Sequence, residues 1–104
     1  MIRVSVMYPY SDGARFDAEY YAKRHMDMVR KDFKAHGLVD IRVDKGFVGP
    51  KPKSPPIYAC IGTLTFETME GYKEAFRQHG AELFADIPNF TDIEPVVQVN
   101  EAVL

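Results

Sequence analysis

Polar and apolar residues alternate from Ile2 to Tyr8, with Ile2, Val4, Val6 and Tyr8 on one parity and Arg3, Ser5 and Met7 on the other. A period of two predicts a strand. Pro9, Ser11, Asp12 and Gly13 then supply turn chemistry. From about Asp17 to His36 the apolar period lengthens to four residues: Tyr21, His25, Val29 and Phe33 recur, with Ala18 and Met28 beside them. That spacing predicts a helix with one inward stripe. Asp17 carries a carboxylate able to accept a bond from a free N–H of the first turn. Phe16 and Tyr21 flank this start as a hydrophobic staple, and Gly37 fits a left-handed cap at the far end.

Leu38 to Val48 predicts a second strand, with Val39, Ile41 and Val43 to one side. Pro50, Pro52, Pro55 and Pro56 crowd the next stretch. Proline offers no ladder donor, so an exposed loop is expected there. Ile57 to Phe66 predicts a third strand with Tyr58, Cys60, Gly62, Leu64 and Phe66 on one face. A glycine inside a strand marks a bulge or the close approach of another group. A second helix, from about Met69 to Phe84, carries Met69, Tyr72, Phe76 and Leu83 at helical spacing, and Gly80 is expected to weaken or end its regular part. The last strand is expected at roughly Ile93 to Val99.

Strand–helix–strand, twice over, is the ferredoxin-like α+β plan: an antiparallel βαββαβ sheet with both helices on one face. Val4, Val6, Val97 and Val99 stand on one parity and Val96 on the other. Neither face of the terminal strands is therefore clearly polar. Two such sheets packed face to face as a homodimer would cover the second one.

The 104 residues form one domain with one modest core. A formal net charge of -2 gives no basic surface for nucleic acid. Lys23, Arg24, Arg30, Lys31 and Lys34 cluster on the first helix, but Asp27 and Asp32 are interleaved as on a solvated face. Cys60 stands alone, which rules out an internal disulfide and fits a reducing cytoplasm. No apolar stretch is long enough to cross a membrane. The opening residues MIRVSVMYPY lack the features of a signal peptide, so a cytoplasmic location is expected.

Three segments resemble, in order, the EthD (ethyl tert-butyl ether degradation) family of small dimeric alpha–beta barrel proteins. They are FDAEYYAKRHMDMV from Phe16, with paired tyrosines followed by a histidine, PPIYACIGTLTF from Pro55, and HGAELFADIPNFTDIEPVVQVNE from His79. Met26 and Asp27 stand where that pattern commonly has a proline or small residue after the histidine. The resemblance implies a homodimer with a pocket between sheet and helices in each subunit. It also implies a small hydrophobic, oxygenated or aromatic ligand. Relatives by fold include cofactor-independent monooxygenases, muconolactone isomerase and polyketide cyclases, so the implied reactions are oxidation, isomerisation or dehydration. Fold alone does not choose among them.

His25, on the inward stripe of the first helix, is the candidate proton shuttle. An imidazole titrating near neutrality takes a proton from a phenol or enolisable carbon and returns it elsewhere. Tyr21, four residues earlier, is placed to hold or protonate a substrate oxygen. A histidine on an apolar face also serves as a core residue, which leaves a non-catalytic ligand-binding or pathway-accessory dimer as the alternative. Tyr8 and Tyr58 are expected to line the pocket or core. Phe76 and His79, on the second helix's stripe, join them as substrate-binding candidates with Asn89, whose amide suits a carbonyl or oxyanion.

Each of these has a structural role to weigh. His79 beside Gly80 fits a helix-end group facing the dipole, as does His36 before Gly37. Asn89 and Asp92 after Pro88 fit Asx-turns that steer the chain. On that reading ADIPNFTDIEPVVQV, from Ala85 to Val99, is the junction delivering the last strand. No metal is expected: His25 and His36 are far apart, His79 is on another element, and only Asp32 and His36 at i+4 have ligand spacing. No glycine-rich phosphate loop, dinucleotide fingerprint, Cys–x–x–Cys pair or nucleophile elbow occurs, so no cofactor is expected.

Overall fold

In the computed structural model, which describes residues 1–104, the alternating segments form one antiparallel sheet. Its strands are β1 (Ile2–Pro9), β2 (Leu38–Lys45), β3 (Tyr58–Phe66) and β4 (Val96–Glu101), in the order β2-β3-β1-β4. Register places Val4 opposite Leu64 and Val99, and Val6 opposite Gly62 and Val97. One face therefore gathers the apolar parities of every strand. Val4, Tyr8, Cys60, Leu64 and Phe66 are buried there against Tyr21, Met26, Val29, Phe33, Ala75 and Leu83 of the helices. This is the expected ferredoxin-like plan, with both helices on one sheet face.

The first helical run, α1 (residues 18–36), starts at Asp17, whose Oδ1 accepts from the Tyr20 N–H at 3.0 Å. The staple forms as Phe16 and Tyr21 meet edge to face, with ring centroids 5.4 Å apart. The run is not a uniform α-helix. Ala18–Tyr20 is α-helical, Tyr21–His25 is a π turn, Met26–Phe33 is α-helical again, and Lys34–His36 tightens to a 3-10 turn before Gly37 at φ 87°. A strict four-residue period overshoots the 3.6-residue turn by about 40° at each step. The wide π turn absorbs part of that drift, so Tyr21, His25, Val29 and Phe33 all remain buried.

The second helix, α2 (Met69–Asp86), is capped by Thr68, whose hydroxyl accepts from the Gly71 N–H at 3.1 Å. It runs through Gly80 without a break and ends at Asp86 rather than Phe84. An internal glycine costs about 1 kcal/mol, and packing against the sheet outweighs that cost. The expectation that Gly80 ends the regular helix is thus corrected, and with it the helix-end role for His79.

Two strand boundaries and one register differ most from expectation. β2 stops at Lys45, because after the Gly46 N–H bonds Ala59 the chain enters the proline loop, leaving Phe47 and Val48 exposed. Within β2 the register shifts between Leu38 and Asp40, which turns Val39 outward while Ile41 and Val43 face the helices. β4 begins at Val96, not Ile93. Pro95 has no N–H for the ladder, and the Ile93 N–H is held by Thr91 Oγ1 at 3.0 Å.

Gly62 marks a close approach, as its position in β3 foretold. A Cβ there would fall on the Tyr21 hydroxyl and reach Met26 Cε at 3.0 Å. The sheet lacks a side chain at the point where α1 presses a phenol into it. Gly62→Ala is therefore expected to destabilise the fold by roughly 1–3 kcal/mol through overpacking. Adding Tyr21→Phe should recover part of the loss, and urea denaturation of the single and double variants measures both.

Candidate active site

The end of α2 delivers Asp86 to the start of α1. Asp86 Oδ2 lies 2.9 Å from His25 Nδ1, while Oδ1 accepts from Tyr20 Oη at 2.9 Å and Asn89 Nδ2 at 2.9 Å. Both His25 and Asp86 are buried. Burial pushes the Asp86 carboxyl up, but the hydrogen bonds from His25, Asn89 and Tyr20 outweigh it and hold the group below its ordinary value. An ionised carboxylate only accepts, so Nδ1 must donate. In the neutral imidazole the proton then sits on Nδ1, and Nε2 carries the free lone pair.

Nε2 has no hydrogen-bond partner in the protein and is not sealed from solvent. His25 lines an apolar cavity of about 40 Å³ between sheet and helices. Tyr8, Tyr21, Met26, Leu64 and Phe76 form its inner wall, and Phe84, Ile87, Pro95 and Val97 its rim. Phe84 and Val97 are exposed, so the cavity opens between the end of α2 and the edge strand β4. Its buried part accommodates only a few atoms beside the imidazole, and the bulk of a larger ligand would lie at the rim. Burial raises the Tyr8 and Tyr21 phenols well above their ordinary range, so both stay neutral.

Ring packing fixes the imidazole. Tyr21 stacks on His25 at 5.4 Å across the π turn, and Phe90 lies tilted against it at 4.8 Å. Phe90 is held in turn from the segment before α1: Asp17 N–H donates to its carbonyl at 2.7 Å, and Thr91 Oγ1 donates to the Arg15 carbonyl at 2.6 Å. The end of α2 and the residues after it thus press Asp86 and Phe90 onto one imidazole.

Of the sequence candidates, His25, Tyr21, Tyr8 and Phe76 come together in the cavity. Tyr58, half-buried where β3 begins opposite Pro9, is not among its walls. His79 turns to Asp32 on the outer seam between the helices. Asn89 is exposed, donates to Asp86 and is not among the cavity's walls. Asp92 makes no local Asx-turn and instead accepts from the Arg15 N–H at 3.0 Å. Sequence reasoning missed Asp86, Tyr20 and Phe90. The available signal was an acid three residues beyond Leu83, on the helix face reserved for apolar side chains.

Residues 14–94 match the family model for the EthD domain. Among solved structures, an EthD-like protein from Ralstonia eutropha JMP134 is 41% identical, with a TM-score of 0.94 over 99% of this chain and 92% of that one. An ethyl tert-butyl ether D (EthD) family protein from Bacillus halodurans C-125 is 20% identical, with a TM-score of 0.74 over 99% of both chains. A dimeric ferredoxin-like protein from an uncultured marine organism shares the fold at 13% identity and a TM-score of 0.64, over 99% of this chain and 94% of that one. No match was found among curated proteins. No helix is long and apolar enough to cross a membrane.

The depressed Asp86 carboxyl has a consequence for pH. Its contribution to stability is fully present above the ordinary aspartate value of about 4 and is lost as the pH falls through the lower folded value. Urea titrations across the acid range should show wild-type stability falling below about pH 4. Asp86→Asn should be less stable at neutral pH and show a shallower acid dependence.

Proposed function

This chain belongs to the EthD family, and on that premise we propose that it is a small cofactor-independent enzyme in which His25 shuttles a proton on a hydrophobic, oxygenated aromatic or polyketide-like compound. The observation that carries this reading is the His25–Asp86 dyad, with Nδ1 committed to the carboxylate and the imidazole lining the cavity. A histidine kept only for packing has no need of a buried carboxylate held by three side chains.

The Nε2 lone pair takes a proton from a phenolic O–H or from a C–H beside a carbonyl. The electron pair left behind rests on the substrate oxygen as phenolate or enolate. The neutral Tyr21 phenol, stacked on the imidazole and lining the same cavity, is the proposed donor to that oxygen. Asp86 stabilises the imidazolium so formed. Returning the proton to another carbon completes an isomerisation, and giving it to a departing hydroxyl releases water in a dehydration. Both close without a co-reactant, which favours them over an oxidation that would consume dioxygen.

The test is a panel of hydroxylated and β-keto aromatic compounds, ranked by thermal shift and then followed by NMR for deuterium exchange at enolisable positions. Wild-type protein should exchange bound ligand, and His25→Asn should slow exchange about 100-fold or more while still binding and folding. Binding without exchange by the wild type would favour the accessory-dimer reading.

The outer sheet face supports a homodimer as part of this proposal. Val96, Met7 and Ile61 stand in register as an apolar row over three strands, ending at Asp44 on β2 and flanked by Ser5, Thr63 and Gln98. Such a row gains from a second copy. Met7→Glu should shift the protein from dimer to monomer in sedimentation velocity runs.

A further inference from the structure

We propose that Asp32, His79 and Glu82 form a binding site for a divalent transition-metal ion, with Zn²⁺ the best fit, on the outer seam between α1 and α2. Spacing in the sequence counts against a metal among His25, His36 and His79, and does not pair Asp32 with His79 across the helices. The antiparallel helices bring one ligand atom of each to within 4.8 Å of the other two. His79 and Glu82, at i and i+3, share a face of α2, and Asp32 meets them from α1.

A second observation points to a ligand. Asp32 Oδ2 is buried and has no hydrogen-bond partner. A buried carboxylate oxygen left this way is costly. The nearest candidate, His79 Nδ1, stands 3.9 Å away, too far for a hydrogen bond. Two ligand atoms held at about 2.0–2.1 Å on a tetrahedral zinc are roughly 3.3 Å apart. Small side-chain rotations therefore bring this pair onto one ion.

The donor set selects the metal class. An imidazole with two carboxylates suits zinc and its neighbours, whereas magnesium and calcium take oxygen ligands. The two negative charges balance a divalent cation, and the neutral imidazole adds none. His36, whose ring centroid is 5.8 Å from that of His79, stands beside the site as the candidate fourth ligand. Glu82 is exposed and His79 half-buried, so the ion has a path from solvent. Asp32 and His79 each lie seven residues from the dyad, about 10 Å along the helices, so the site is separate from the cavity.

Calorimetric titration of the full chain with Zn²⁺ tests the assignment, with Co²⁺ visible absorption reporting coordination. One ion per chain is expected, with affinity weakened tenfold or more in both His79→Gln and Asp32→Asn and unchanged in His25→Asn. The last variant separates this site from the dyad, so the metal proposal and the catalytic one fail independently. Circular dichroism establishes that each variant is folded. No saturable binding by the wild type, or binding that survives both seam variants, overturns the proposal, and loss of binding in His25→Asn alone would move the ion to the dyad.

Discussion

A buried carboxylate has to be satisfied, and satisfying Asp86 organises this molecule. Three donors reach it from the first helix and from the turn that follows the second: Tyr20 and His25 from α1, Asn89 from the 3-10 segment Ile87–Asn89. Removing any one would leave the charge partly uncompensated in an apolar setting. The end of α2, the start of α1 and the junction to β4 are therefore held as one unit. In the proposed mechanism, catalytic polarity then follows from stability: the bonds that keep the carboxylate ionised are what make Nδ1 the donor and leave Nε2 as the base.

The same constraint explains the local irregularity of α1. A uniform α-helix would let Tyr21, His25, Val29 and Phe33 drift around the axis, and His25 would leave either Asp86 or the cavity. The π turn at Tyr21–His25 keeps the imidazole stacked on Tyr21 and aimed at α2. Helices depart from α geometry at functional sites often enough for this to have meaning. Gly62 is its counterpart in the sheet, removing a side chain where Tyr21 needs depth.

Much of this was legible in the residues, and the reasons are local. Alternation in β1, the Asp17 cap and Gly37 act within a few positions, so sequence reports them directly. The strand ends differ because Phe47 and Val48 continue an apolar pattern after the ladder bonds of β2 have run out, and Ile93 opens one before those of β4 begin. His25 was found because it interrupts an apolar stripe. Asp86 interrupts one in the same way, but it stood just past the expected end of α2, and its partner lies 61 residues away. Pairing across that distance is a property of the fold, not of either segment.

The segment from Ala85 to Val99 belongs to both accounts. It is a junction, since Thr91, Pro95 and the bridge to Phe16 steer the chain into β4. It is also a wall of the site, because Asp86 and Phe90 fix the imidazole while Ile87, Pro95 and Val97 edge the cavity. Seven residues from the dyad, the two helices repeat its residue types in exchanged positions, with Asp32 on α1 facing His79 on α2. In the buried pair the atoms meet at 2.9 Å and complete each other; in the outer pair they stand at 3.9 Å with Glu82 alongside and an oxygen left over. On the two proposals, closure at one and a gap at the other divide the labour, with the first pair holding a proton in place and the second keeping coordination capacity free.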